Sequence, residues 1–181
     1  MGKANKPILL NLGCGEKILD GYVNVDNWGN PDVRADLNSF PYPWDDNSVD
    51  GVVMYHVLEH IPNWWECVQE CARIIKPGGS LVVHVPDESS SSALTYRDHH
   101  HVFDVRSFDS ISKGLRERST TNAWFNSEPV LPLELSHYAR VPFAEYNWLF
   151  RWPFTWLGTF CAAHMRNFIW EQRFTFTKVG T

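Results

Sequence analysis

Apolar residues fall along this chain in short bursts. Ile8, Leu9, Leu10 and Leu12 form the first, closed by Gly13 and Gly15, a density that suits a strand buried on both faces of a parallel sheet. Tyr22–Asp26 reads as a second strand ending in an acid. Val33–Leu37 is a brief third, Ser48–Tyr55 a β-branched fourth, and Ser80–Val85 a fifth stopped by Pro86. Between the fourth and fifth, Trp64, Val68, Cys71, Ala72 and Ile75 recur at helical spacing from a start at Pro62, and Lys76-Pro-Gly-Gly79 ends the helix. Only nine residues separate Leu12 from Tyr22, fewer than the dozen or so usual for a parallel crossover. That spacing predicts an abbreviated helix over 16–21.

Beyond the fifth strand the pattern loosens. Ser89–Ser92 and the residues up to Tyr96 are polar and read as a lid or a plain surface loop. Asp104–Leu115 predicts a helix with Phe108, Ile111 and Leu115 on one side, and 119–145 is proline-broken and irregular. Asn167–Thr177 alternates with period two, placing Phe168, Trp170, Phe174 and Phe176 on one face and Glu171, Arg173, Thr175 and Thr177 on the other. This predicts an edge or near-edge antiparallel strand, with a partner expected near Thr120–Phe125. The whole predicts a single α/β domain over 1–181: a Rossmann-like, mostly parallel open sheet with an antiparallel C-terminal strand, in three layers.

Composition narrows the classes. A chain of 181 residues with 44% hydrophobic and 20% charged positions is long enough for one domain with a sizeable core. A formal net charge of −5 argues against nucleic acid as a partner, because non-specific affinity for it requires many neutralised phosphates. No apolar run reaches the length of a membrane span, and no leader pattern opens the chain. The four cysteines form no CxxC pair and read as buried free thiols, which fits a reducing, cytoplasmic setting.

Candidate chemistry gathers where the predicted strands end. Gly13, Asp26, Asp36, His56 and Asp87 all fall at carboxyl ends, the edge at which open α/β sheets bind ligands. Glycine there lets the backbone take positive φ and touch the ligand. An acid after the second strand can accept hydrogen bonds from both hydroxyls of a ribose, although Asp26 serves equally as the start of the loop Asn27–Pro31. His56, His60, His100 and His101 are the candidate catalytic bases, since imidazole titrates near neutrality. For His60 and Glu59 the stronger reading is that they cap or pack the following helix. No metal is expected: adjacent histidines rarely converge on one ion, and no Cys or acidic partner stands at ligand spacing.

Six motifs occur in order: Asn11-Leu-Gly-Cys-Gly15, Asn24-Val-Asp26, Asp36-Leu37, Asp46-Asn-Ser-Val-Asp50, His56-Val-Leu-Glu-His60 and Lys76-Pro-Gly-Gly79. Together they resemble the class I S-adenosylmethionine-dependent methyltransferases, most nearly the small type 11 branch found with surface-glycan genes. The resemblance implies a cofactor-binding core over 7–110 and an aromatic-rich part over 111–181 that completes the sheet and a substrate or partner surface. It implies S-adenosyl-L-methionine as cofactor and S-adenosyl-L-homocysteine as product. The implied cofactor set is Asn11, Gly13, Cys14, Gly15, Asp26, Asn27, Asp36, Leu37, Tyr55 and His56. Asp26 would meet the ribose, Asp36 and Leu37 the adenine, and Tyr55 and His56 the sulfonium end. Two positions depart from the pattern. Asn11 stands where the family has an acid, and Ile18 stands where a dinucleotide fingerprint would need its third glycine.

Nine tryptophans, five of them from Trp124 onward, load the last third. Phe143–Met165 carries Trp148, Phe150, Trp152, Phe154, Trp156 and Phe160. Such a segment fits a core, a helix lying on a membrane surface, or a stacking platform or homodimer face. Similar glycan-associated methyltransferases carry a comparable tail, which implies a small-molecule, saccharide or lipid-linked acceptor. Two other functions remain open: a non-catalytic cofactor-binding protein, and a nucleotide- or NAD-binding enzyme on the same sheet.

Overall fold

The computed structural model describes residues 6–108, 111–112, 131–151 and 153–180. Its frame is one sheet of seven strands: β1 (Leu9–Leu12), β2 (Val23–Asp26), β3 (Val33–Arg34), β4 (Val49–Tyr55), β5 (Ile75–Pro86), β6 (Leu133–Pro142) and β7 (Ile169–Lys178). Their order across the sheet is β3-β2-β1-β4-β5-β7-β6. β1 to β5 pair in parallel, and β7 runs against both β5 and β6. β1 therefore has β2 on one side and β4 on the other, so the strand order reverses there, which opens a crevice at the carboxyl edge.

One face of the sheet carries the core. Leu10, Leu12, Val25, Val52, Met54, Leu81, Val83, Phe174 and Phe176 are all fully buried and share it by the alternation of each strand. The helix α1 (Trp64–Ile74) adds Cys67, Val68, Cys71 and Ala72 to the same cluster. Trp64 meets Phe103 and Phe108 edge-on, and Phe108 lies 4.4 Å from the Phe174 ring. The opposite face bears Asn11, Asn24, Tyr55, Ser80, His84 and Thr175 and is covered in part by the loop after β1, whose Lys17 ammonium sits 3.7 Å over the Tyr55 ring.

That first crossover contains no helix, contrary to the expectation over 16–21. Two buried amides replace the helical hydrogen bonds. Asn11 Nδ2 donates to the Lys17 carbonyl at 2.8 Å and to Asn24 Oδ1 at 2.9 Å, and the Leu19 N–H donates to Asn24 Oδ1 at 2.8 Å. Short polar side chains that satisfy the backbone in this way compete directly with helix formation.

The C-terminal strand lies next to the edge, as its alternation predicts, but its outer partner is β6, within the stretch read as irregular. A register shift between Leu135 and His137 explains the misreading. A bulge adds a residue to one strand, so the inward series runs Leu133, Leu135, Tyr138 and Arg140 and breaks period two at Ser136. The partner expected near Thr120–Phe125 lies outside the described residues. Of the helix expected over Asp104–Leu115, residues 109–110 and 113–115 lie outside the described residues, and Val105–Phe108 forms a 3₁₀ turn. Its entry is fixed by Asp104, whose carboxylate accepts from the Ser107 N–H at 2.9 Å while Ser107 Oγ accepts from the Asp104 N–H at 3.0 Å.

Two further helices follow the loops: α2 (Ser91–Thr95) after β5, and α3 (Thr155–His164) before β7. The aromatic segment is not core. Trp148, Phe154, Trp156 and Phe160 are 53%, 45%, 70% and 54% exposed. Among the described residues, Leu149, Cys161, Phe168 and Ile169 form a small buried cluster here, with Tyr146, Leu157 and Ala162 packed against it. No helix among the described residues is long and apolar enough to cross a membrane.

Candidate active site

At the carboxyl edge of β1, β2 and β4 a cleft of about 620 Å³ opens. Gly13, Asp26, Asn27, Asp36, Leu37, His56, His60 and His100 line it, together with Trp28, Ala35, Asn38, Val57, Ile61 and Asp98. Eight residues singled out from the sequence thus converge on one cavity. Cys14, Gly15, Tyr55 and His101 are not among its lining. Asn11 is 1% exposed, and its amide is spent on the loop described above.

Gly13 leaves β1 at φ +67° and donates its N–H to the Val25 carbonyl at 2.8 Å. A Cβ there would sit 2.5 Å from Val57 Cγ2 and 2.7 Å from Cγ1. Glycine is demanded twice, by conformation and by the close approach of the next loop. Asp26 then organises the rim. One carboxylate oxygen accepts from the Gly15 N–H at 2.8 Å and the other from the Trp28 N–H at 3.0 Å. Each oxygen retains acceptor capacity for a ligand hydroxyl. Asp36 is held the same way, its Oδ1 accepting from the Asn38 N–H at 2.9 Å.

His56 ends β4 in the left-handed region, at φ +56°. That conformation is rare for a residue with a side chain and characteristic of sites held in place by their surroundings. Its N–H donates to the His84 carbonyl at 2.9 Å, and its Nε2 lies 2.9 Å from Glu171 Oε2. Burial by itself would lower the His56 pKa. The hydrogen bond to Glu171 and the neighbouring Glu59 carboxylate outweigh it and raise the value to about 9. At that value the imidazolium is the favoured form of His56 at neutral pH, and it offers no lone pair to a substrate proton. Burial pushes Glu171 the other way, yet its contacts with His56, His84 and Arg173 hold it well below the usual carboxylate range.

The other candidate bases differ in setting. His60 Nδ1 sits 3.2 Å from both the Asp98 carbonyl and one Asp98 carboxylate oxygen. His101 points away, with Nε2 3.1 Å from the Pro62 carbonyl. The backbone N–H of His100 donates to the Glu59 carbonyl at 2.7 Å. Glu171 is the functional neighbour that sequence reasoning missed. It stands 115 residues from His56, and nothing local marks it apart from being an acid at the start of a strand that ends up beside β5.

Residues 22–83 match the family model described as a methyltransferase domain. A protein of Mycolicibacterium smegmatis named a "probable S-adenosylmethionine-dependent methyltransferase" is 39% identical over 62 residues, which is 34% of this chain and 23% of that protein. The 27-O-demethylrifamycin SV methyltransferase of Amycolatopsis mediterranei is 30% identical over 88 residues, covering 46% of this chain and 32% of its own. The chain thus spans a quarter to a third of the length of these relatives. A solved S-adenosylmethionine-dependent methyltransferase from Archaeoglobus fulgidus superposes with TM-score 0.58 at 14% identity, covering 96% of this chain and 87% of that one.

The cleft fits S-adenosylmethionine, the cofactor of that family. A glycine at positive φ leaves the floor open, a carboxylate at the end of β2 suits ribose hydroxyls, and Leu37 beside Asp36 offers an apolar wall next to an acceptor. Residues 22–83 thus carry the sequence of a methyltransferase domain, and the sheet around them has the Rossmann-like fold of solved S-adenosylmethionine-dependent methyltransferases.

Proposed function

We propose that this chain methylates a small-molecule, saccharide or lipid-linked acceptor by in-line displacement. The observation that carries the reading is the convergence of Gly13, Asp26, Asp36, Leu37 and His56 on one cleft at the carboxyl edge. When bound, S-adenosylmethionine supplies a methyl group on an excellent sulfonium leaving group. The protein's task is then alignment and exclusion of water. Asp26 holds the ribose hydroxyls, Asp36 and Leu37 hold adenine, and the Gly13–Gly15 backbone passes under the methionine portion. With Asn11 committed to the fold, the ammonium of that portion must find its partner elsewhere on the rim.

His56 stands at the sulfonium end with its charge balanced by Glu171 and Glu59, so its role is to position rather than to accept a proton. The lipid-linked form of the acceptor is supported by the exposed aromatic side chains of α3 and of the turn before it, flanked by the exposed Arg151 and Arg166. Aromatics with arginine neighbours suit a headgroup interface. The O-demethyl compound in the name of the Amycolatopsis relative is compatible with an oxygen acceptor.

Titration calorimetry with S-adenosylhomocysteine and with NAD tests the cofactor. Saturable binding of the former alone is expected, and its absence would sink the reading. Methyl transfer to a panel of sugars, lipid-linked sugars and phenols, followed with labelled cofactor, separates an enzyme from a non-catalytic binder.

A further inference from the structure

Beside the cleft, Glu59 poses a problem that the cofactor does not solve. Its side chain is 1% exposed, and neither carboxylate oxygen has a hydrogen-bond partner. His56 Nδ1 approaches Oε1 only to 3.4 Å, a charge contact without hydrogen-bond geometry. A buried carboxylate in this state is costly unless something else occupies its oxygens. Two imidazoles complete the surroundings. Ligand atoms of Glu59, His60 and His99 all lie within 4.8 Å of one another, and the two rings meet edge-to-face at 4.7 Å.

The second contacts of these rings point the same way. His60 Nδ1 faces Asp98, and His99 Nδ1 lies 3.4 Å from the Ala93 carbonyl. A histidine whose Nδ1–H is held by a carboxylate or carbonyl has its Nε2 lone pair free, the arrangement that orients metal-binding imidazoles. The donor set is one carboxylate and two imidazoles, suited to a divalent ion of intermediate softness such as zinc, cobalt or manganese. Three protein ligands leave a coordination position open. His60 and Asp98 line the cleft, which puts the cluster at its rim.

We propose that Glu59, His60 and His99 form a divalent-metal site at the rim of the cleft. No metal is expected from the sequence, where the adjacent histidines 99–101 are weighed against one another; the fold instead brings His99 to His60 and Glu59, about 40 positions earlier. On the methyltransferase reading, the open position takes an oxygen of the acceptor and orients it. The site itself does not depend on that reading.

Cobalt(II) is the probe. The full chain, stripped with chelator, is titrated with Co²⁺ while its visible ligand-field bands and heat are followed, for the native protein, His99→Ala, Glu59→Gln, and the distant exposed His137→Ala. One ion per chain is expected in the native protein and His137→Ala, with affinity falling at least about tenfold in His99→Ala and Glu59→Gln. Failure to saturate at one ion, or unchanged affinity in His99→Ala, would overturn the site. Should Glu59→Gln fail to fold by circular dichroism, His99→Ala decides, since its ring is half-exposed. S-adenosylhomocysteine binding is measured on the same samples. A chain that binds it but takes up no cobalt loses the metal site and keeps the cofactor reading, and the converse result does the reverse.

Discussion

Gly13→Ala tests how the floor of the cleft is built. At φ +67°, an added Cβ costs about 1–2 kcal/mol from its approach to the following carbonyl. The same Cβ would lie 2.5 and 2.7 Å from the two γ-methyls of Val57, a residue 6% exposed. Forcing that branched side chain aside in a packed region costs about another 1–3 kcal/mol. The sum, roughly 2–5 kcal/mol, is a large part of the stability of a single domain. The two parts can be separated in a double-mutant cycle. Val57→Ala removes the methyls that clash but leaves the backbone strain. In urea denaturation, Gly13→Ala/Val57→Ala should therefore be more stable than the two single effects predict, by about 1–3 kcal/mol. A Gly13→Ala protein within about 0.5 kcal/mol of native, or a cycle with no coupling, would refute the argument that close approach rather than chance placed glycine here.

Other consequences can be measured as directly. Asp26→Ala removes a charged acceptor from the cleft and frees the Gly15 and Trp28 N–H groups, so S-adenosylhomocysteine affinity should fall by about 1.5–3 kcal/mol in calorimetry; unchanged affinity would remove Asp26 from the site. Asp87 is fully buried and accepts from Arg140 Nε and Nη2, each at 2.8 Å. Asp87→Ala should cost about 3 kcal/mol in denaturation, less if Arg140 swings to solvent. Glu171 has a depressed pKa in the folded protein, so its contribution is fully present above the unfolded value near 4.3 and is lost as pH falls. Urea midpoints from pH 7 to 3 should drop more steeply for the native chain than for Glu171→Gln, and parallel curves would contradict the assignment. Flotation with anionic vesicles should recover the native chain, and Trp156→Ser/Phe160→Ser should reduce recovery. If the native chain never floats, the lipid-facing surface is abandoned.

Some of this protein can be read from local chemistry alone. The burst Ile8–Leu12, the β-branched run into Tyr55, the helical spacing from Trp64 to Ile75 and the alternation of 167–177 each follow from a periodicity complete within a dozen residues, and each became the expected element. Gly13, Asp26, Asp36 and His56 were legible for a related reason: strand ends are local, and in a parallel sheet all of them fall on one edge. Their motifs also made the family recognisable.

What only the tertiary structure decided involves partners distant in sequence. The bulge at Ser136 hid β6 because it shifts the very period by which a strand is read. The amides of Asn11 and Asn24 replaced a short helix with a loop because they pair with each other across β1 and β2 and bind the loop backbone between those strands. Glu171 raises the pKa of His56, and the two meet only because β7 enters the sheet antiparallel beside β5. Whether Trp148, Phe154, Trp156 and Phe160 are buried or exposed depends on what packs over α3, which hydrophobicity alone does not specify. The Glu59–His60–His99 cluster belongs here too: a periodicity reports which way a side chain faces, but not which residue of another element it will meet.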